Sequence, residues 1–371
     1  MTDVVPYPPD ESTLFLQACL LSGPGVSEAA RRWFSAHPDP AVTLRHQLAY
    51  RRMLPLLAHN LSRHGADADG LTEVLRCARL AEAERGELFS RYAGQVMSLV
   101  QGAGIPHLVG SGVMLAECAY PALNTRHCHD LDFLIPHEVG ITLDRLLRQH
   151  GFMQADDRYH NRARFSVCLH ETLLPFPYFL GYHSAEPRSW NTRCCGRQVV
   201  VPSPSDIVIR LATNVFSRPQ RSLQSIADLF FCLAAFSVDW DWVLDLARRT
   251  HTGLQLRFVL SYLRRHFGCQ IPGNVVEAFD GASSPIDEEL VLMYLTRAIG
   301  VRALVARLPM RDIPLFLKST LAPSSASVRA SYGTWFGYMT RMVSAGGWLA
   351  KRPWFRRLRG RTNQRVGSRC A

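Results

Sequence analysis

Two aspartates one residue apart, Asp130 and Asp132, open the apolar run of HCHDLDFLIP (127–136). Side chains at i and i+2 of a strand share a face. The two carboxylates therefore stand side by side against what reads as a hydrophobic core. Like charges so placed need a cation, and their hard oxygens suit Mg2+ or Mn2+. Upstream, VGSG (109–112) sets Gly110, Ser111 and Gly112 between a short apolar run and a helix-like stretch. Such a turn lets backbone N–H groups come close to a phosphate. A phosphate-cradling turn followed by a metal-binding carboxylate pair is equipment for phosphoryl or nucleotidyl transfer. The metal offsets the triphosphate and aligns the attacking oxygen. The turn lacks the lysine of a Walker loop and does not match the GxGxxG of a dinucleotide fold.

Other residues admit both a chemical and a plain structural role. Asp-x-Asp is short, and a helix cap beside a surface turn would give the same letters. Arg126, four residues before Asp130, either neutralises phosphate charge or pairs with one of the two aspartates. His127 and His129 read as solvated loop residues, with membership of a metal cluster the alternative. RARFSVCLHETL (162–173) alternates as a half-buried strand should, with Arg164, Ser166, Cys168 and His170 on one face and Phe165, Val167 and Leu169 on the other. His170 is a candidate base or substrate contact, and equally a structural hydrogen-bonding group. Asp228 lies in the apolar helix LQSIADLFFCL and needs a partner there. A structural arginine such as Arg210 or a catalytic role would each satisfy it.

The elements that must position these residues fall into four stretches. Residues 1–100 carry apolar residues at helical spacing, the longest run being LTEVLRCARLAEAERGELFSRYAGQVMSLVQGAG, closed by Gly102 and Gly104. Residues 101–202 change texture to short strands and helices: IPHLVGSG, VMLAECAY, DLDFLI and EVGITLDRLLRQHG, the last stopped by Gly151. The proline- and aromatic-rich stretch between His170 and Pro202 has no clear period. Helices return over 203–345, where Ser203 or Ser205 caps the first. The segment 346–371 is a basic tail.

At 371 residues with 47% apolar content, the chain is long enough for two or three domains with sizeable cores. No apolar run is long enough to cross a membrane, and MTDVVPYPPDES does not read as a signal peptide. Ten cysteines without a CxxC pair are expected to be reduced thiols, so the expected location is cytoplasmic. Of the net charge of +11, eight positive charges sit in 351–371, which holds no acid, leaving +3 for the rest. That tail suits an anionic partner, nucleic acid or acidic lipid, or is simply a solvated terminus. Lys318 and Lys351 are the only lysines, so phosphate handling in the central region falls to arginine, backbone amides or a metal.

The stretch VGSGVMLAECAYPALNTRHCHDLDFLI resembles the core of the uncharacterised nucleotidyltransferase family within the DNA polymerase beta superfamily. Gly112, Tyr120, Pro121, Arg126, Asp130 and Asp132 stand at positions of that family's pattern. Downstream, Val167-Cys168-Leu169-His170 matches a strand of the type Val-Asp-Leu-His. Asp228 matches an aspartate-bearing helix, and Asp239-Trp240 an acidic-Trp helix start. The resemblance covers about residues 40–270. It implies an α+β protein, a small mixed-sheet nucleotidyltransferase core flanked by N- and C-terminal helical regions. It also implies Mg-dependent transfer of a nucleoside monophosphate from an NTP such as ATP to a peptide or small-metabolite acceptor, in the manner of natural-product biosynthesis. Two positions depart from the pattern. Ser111 stands where the family has lysine, and Cys168 stands where the superfamily's third carboxylate would be. A thiol is a poor Mg2+ ligand. The alternative is therefore an inactive relative that binds nucleotide or peptide as an accessory subunit.

Overall fold

The computed structural model describes residues 10–282 apart from 38, 67–69, 156–157, 175–186, 218–221 and 251. The basic tail and the part of the C-terminal helical region beyond 282 lie outside the described residues.

Five helices open the chain: α1 (Asp10–Leu20), α2 (Gly25–Ala36), α3 (Pro40–His46), α4 (Leu48–Arg51) and α5 (Leu54–Arg63). The segment VTLRHQLAYRRMLPLLAHNLSRHG is not one helix but three. Gln47 turns extended between α3 and α4, and Pro55 sits in the first turn of α5, where its missing N–H costs nothing. Phe15 meets Trp33 and Tyr50 edge to face in this layer, with Phe15–Tyr50 centroids 4.7 Å apart. Helix α6 (Thr72–Gly102) runs 31 residues without a proline and ends where Gly104 takes a positive φ of 64°.

The middle of the chain builds a five-stranded mixed sheet in the order β1-β2-β5-β4-β3. Its strands are β1 (Leu108–Val109), β2 (Asp130–Leu134), β3 (Met153–Ala155), β4 (Arg158–His160) and β5 (Ser166–His170). Helix α7 (Ser111–Cys118) joins β1 to β2, and α8 (Gly140–Gln149) leads from β2 into the β3–β4 hairpin. β2 and β5 are parallel; every other neighbour pair in this sheet is antiparallel. Leu131, Phe133 and Val167 fill the apolar face, each almost wholly buried.

Two expectations for this region need correction. The strand expected over 162–173 is only β5. Asn161 accepts the Phe165 N–H and Arg164 adopts φ 61°, a tight turn that removes Arg164 from the strand face. The unassigned stretch before Pro202 contains a hairpin, β6 (Ser189–Cys194) and β7 (Arg197–Pro202). Its two-residue turn, Cys195-Gly196, has both φ values positive, as the twist of a tight hairpin requires.

Helices α9 (Pro204–Ser217), α10 (Ser222–Ala235), α11 (Trp240–Thr250), α12 (Gly253–Phe267) and α13 (Gly273–Ala282) follow. Ser203 is the cap of α9: its Oγ accepts the Asp206 N–H and donates to Asp206 Oδ2. Ser205 instead accepts the Asp239 N–H at the start of α11. The protein is thus α+β, with helices α9 and α10 closing over the polar face of the sheet. Among the described residues no helix is long and apolar enough to cross a membrane.

Candidate active site

The parallel register of β2 and β5 sets Asp130 opposite Ser166, Asp132 opposite Cys168 and Leu134 opposite His170. Alternate side chains share a face, so the acidic pair and the sulfur converge. Ligand atoms of Asp130, Asp132 and Cys168 all lie within 4.8 Å of one another. His170 Nε2 is 2.9 Å from Asp132 Oδ1. In the neutral ring Nε2–H donates to that carboxylate, which leaves Nδ1 as an acceptor.

Gly110, Ser111 and Gly112 lie where β1 passes into α7. Gly110 is extended and serves as N-cap, and its N–H donates to the Asp132 carbonyl at 2.7 Å. A Cβ there would collide with Asp132 Cβ and stand 3.1 Å from the Asp132 carbonyl oxygen. Only glycine lets β2 come this close, so one contact ties the start of α7 to the acidic strand. The first amides of α7, those of Ser111 and Gly112, lack helical partners and border the same cleft as Asp130 and Asp132.

The cations around this face are arranged otherwise than sequence spacing suggested. Arg126 pairs with neither Asp130 nor Asp132. Its Nε and Nη2 hold both oxygens of Asp228 at 2.7 and 2.8 Å, and Tyr120 donates its hydroxyl to Asp228 Oδ1 at 2.8 Å. Burial alone would push the Arg126 guanidinium down, but the adjoining Asp228 carboxylate holds it well above its usual value. Arg210, one candidate partner for Asp228, instead approaches Asp132 Oδ2 at 3.4 Å. Arg158 approaches Asp130 Oδ2 at 3.5 Å. Each site aspartate therefore meets an arginine and a histidine, because His129 Nε2 lies 3.1 Å from Asp130 Oδ2.

Neither loop histidine is simply solvated. His129 is partly buried beside Asp130, and its ring stacks on His127. His127 sits deeper. Its Nδ1 is 3.1 Å from Glu82 Oε2 and its Nε2 3.1 Å from Arg85 Nη1. Burial, reinforced by Arg85 and His129, pushes His127 down to about 2. It is neutral, with Nδ1–H donating to Glu82 and Nε2 accepting from Arg85. Among the described residues, the His/Cys/Asp/Glu group placed to hold a metal is Asp130, Asp132 and Cys168; neither histidine joins it.

The resulting cleft holds a cavity of about 70 Å3, smaller than the roughly 300–1,000 Å3 of a pocket that encloses a whole drug-sized ligand. Ser111, Gly112, Arg126, Asp130 and Asp132 line it; Gly110, Cys168 and His170 adjoin these residues without being part of the lining itself. Helices α9 and α10 supply the opposite wall, and Arg52 enters just after α4. Arg52, Arg158 and Asn214 carried no motif in the sequence that marked them for a site.

A family model described as an uncharacterised nucleotidyltransferase matches residues 41–268, a span that contains every residue of the cleft. No curated protein and no solved structure matches the chain.

Proposed function

The chain belongs to the uncharacterised nucleotidyltransferase family, and we propose on that premise that its cleft moves a nucleoside monophosphate from an NTP to an acceptor, releasing pyrophosphate. The acceptor is a hydroxyl, phosphate or amine on a peptide or small metabolite. The observation that carries this reading is the β2–β5 register, which gathers Asp130, Asp132, Cys168 and His170 on the face beside the first turn of α7.

Asp130 and Asp132 would hold a divalent cation, Mg2+ or Mn2+. When bound, that ion supplies the charge that offsets a triphosphate. The amides of Ser111 and Gly112, at the positive end of α7, face the same cleft and suit phosphate oxygens. Arg210 and Arg52 add guanidinium charge in a region that contains no lysine. Arg126 is a support rather than a free phosphate ligand. Its Nη1 would be 3.3 Å from a Cβ at Gly112, so the guanidinium braces the turn while Asp228 fixes it. Asp132 holds the His170 proton at Nε2, and Nδ1 takes the acceptor's proton as its oxygen or nitrogen attacks the α-phosphorus.

One observation favours a second reading, a nucleotide- or peptide-binding relative without turnover. Arg158 and Arg210 already offset the carboxylate pair, and the third carboxylate of the superfamily pattern is Cys168. Pyrophosphate release separates the two. Purified protein is incubated with each NTP, Mg2+ or Mn2+, and candidate peptides or labelled host extract. Under the transferase reading at least one NTP yields pyrophosphate, and His170→Ala slows it by ~100-fold, more than Cys168→Ala does. Nucleotide binding by calorimetry without any pyrophosphate would establish the second reading instead.

A further inference from the structure

Taking the carboxylate pair as the cation site proposed above, we infer that Cys168 is its third ligand and that the site selects a first-row ion of the Mn2+-to-Zn2+ series over Mg2+. Two independent observations converge on the sulfur. First, its Sγ stands in register with Asp132 and 3.8 Å from Asp130 Oδ2, inside the group whose donor atoms converge. Second, Cys168 is only 5% exposed, yet it lies outside the contiguous cluster of packed apolar side chains. The other buried cysteines among the described residues, Cys19, Cys128, Cys194 and Cys232, all belong to that cluster. Buried cysteine normally serves as a small hydrophobe. Cys168 instead turns away from Val167 and Leu169 and faces the two carboxylates.

The donor set then decides the ion. Mg2+ requires near-octahedral oxygen coordination and gives up its water reluctantly. Two carboxylates and one sulfur form a mixed hard and soft set that Mg2+ uses poorly and a borderline ion uses well. Coordination expels the thiol proton to solvent, leaving thiolate on the metal. Cysteine at this position is thus a change of cofactor preference, and the carboxylate pair keeps its function.

The experiment titrates the full-length protein with Co2+ alone, reading the near-ultraviolet thiolate-to-cobalt charge-transfer band. Calorimetry with Mg2+, Mn2+ and Zn2+ runs in parallel. The parent is expected to show the band and to bind Zn2+ more tightly than Mg2+. Cys168→Ser should lose the band and weaken Zn2+ by ~10–100-fold while leaving Mg2+ affinity level. Cys168→Asp, which restores a third carboxylate, should tighten Mg2+ by ~10-fold. Circular dichroism confirms that each variant is folded. A band that persists in Cys168→Ser belongs to another thiol and overturns the inference. Co2+ binding without a band, weakened by Asp132→Asn but not by Cys168→Ser, overturns the inference while the two-aspartate reading survives. If no ion binds in a way that Asp132→Asn weakens, both fall.

Discussion

Asp228 on α10 and Asp132 on β2 border the same cleft and each meets an arginine, but the two pairings are built differently. Asp228 is almost wholly buried, and both its oxygens are held by Arg126 at 2.7 and 2.8 Å, with the Tyr120 hydroxyl as a third donor. Asp132 is 22% exposed, and Arg210 stands off at 3.4 Å. A short, largely buried bidentate pair has much to lose if opened. A long, partly hydrated pair can exchange its arginine for another cation at little cost. The same two residue types therefore make a brace on one wall and a ligand site on the other.

The sharpest way to break this comparison is to neutralise the open side. Asp130→Asn or Asp132→Asn is expected to cut turnover by ~1,000-fold or more, a loss of about 4 kcal/mol in transition-state stabilisation. The thermal midpoint should move by no more than ~3 °C, as for a partly exposed pair. Pyrophosphate assays beside melting curves measure both, and undiminished turnover in the two variants would sink the metal assignment.

On the closed side the balance should reverse. Asp228→Ala leaves the Arg126 charge buried without its partner and should destabilise the fold by ~3–5 kcal/mol in denaturant melts. Turnover per folded molecule should fall far less than in the β2 variants. Were Asp228→Ala to leave stability level and abolish turnover, Asp228 would belong to the chemistry and the division between brace and ligand site would be wrong.

A smaller effect tests the neighbouring Glu82–Arg85–His127 cluster. His127 is pushed down to about 2 in the folded chain, whereas an unfolded histidine titrates near 6.5. Between those values the unfolded chain binds a proton that the folded chain refuses. The stabilisation is therefore fully present above about pH 6.5 and is lost as pH falls, by at most about 1.4 kcal/mol per pH unit. Melts from neutral to mildly acidic pH should show this slope in the parent, reduced by one proton in His127→Gln. Equal slopes would mean that His127 takes up its proton inside the fold.

Much of this site was legible in the chain. The period of two in DLDFL and SVCLH placed Asp130, Asp132, Cys168 and His170 on matching faces, and the structure keeps that alignment residue for residue. The glycines before α7 and at the ends of α6 and α8 read correctly as punctuation. What failed were pieces that were very short or set in an irregular background. The three-residue strands β3 and β4 give less than two full repeats of alternation, and the six-residue strands of the β6–β7 hairpin were masked by the prolines, aromatics and arginines around them. The overlong strand at 162–173 failed for a related reason, because alternation in RARF continues through a turn that the backbone leaves.

The choice of ionic partners was not in the sequence at all. Spacing offered Arg126 to the nearby aspartates, and Arg210 was one candidate for Asp228, but the folded chain pairs Arg126 with Asp228 and brings Arg210 to Asp132. The sequence by itself determined which carboxylates share a face, because strand geometry fixes that within five residues. Only the tertiary structure decided which arginine reaches which carboxylate. Asp228 lies 102 residues from Arg126 and Arg210 lies 78 from Asp132, and each pair forms only when α9 and α10 close over the sheet. Burial on one side of that closure and a remaining path to water on the other then separate the brace from the site.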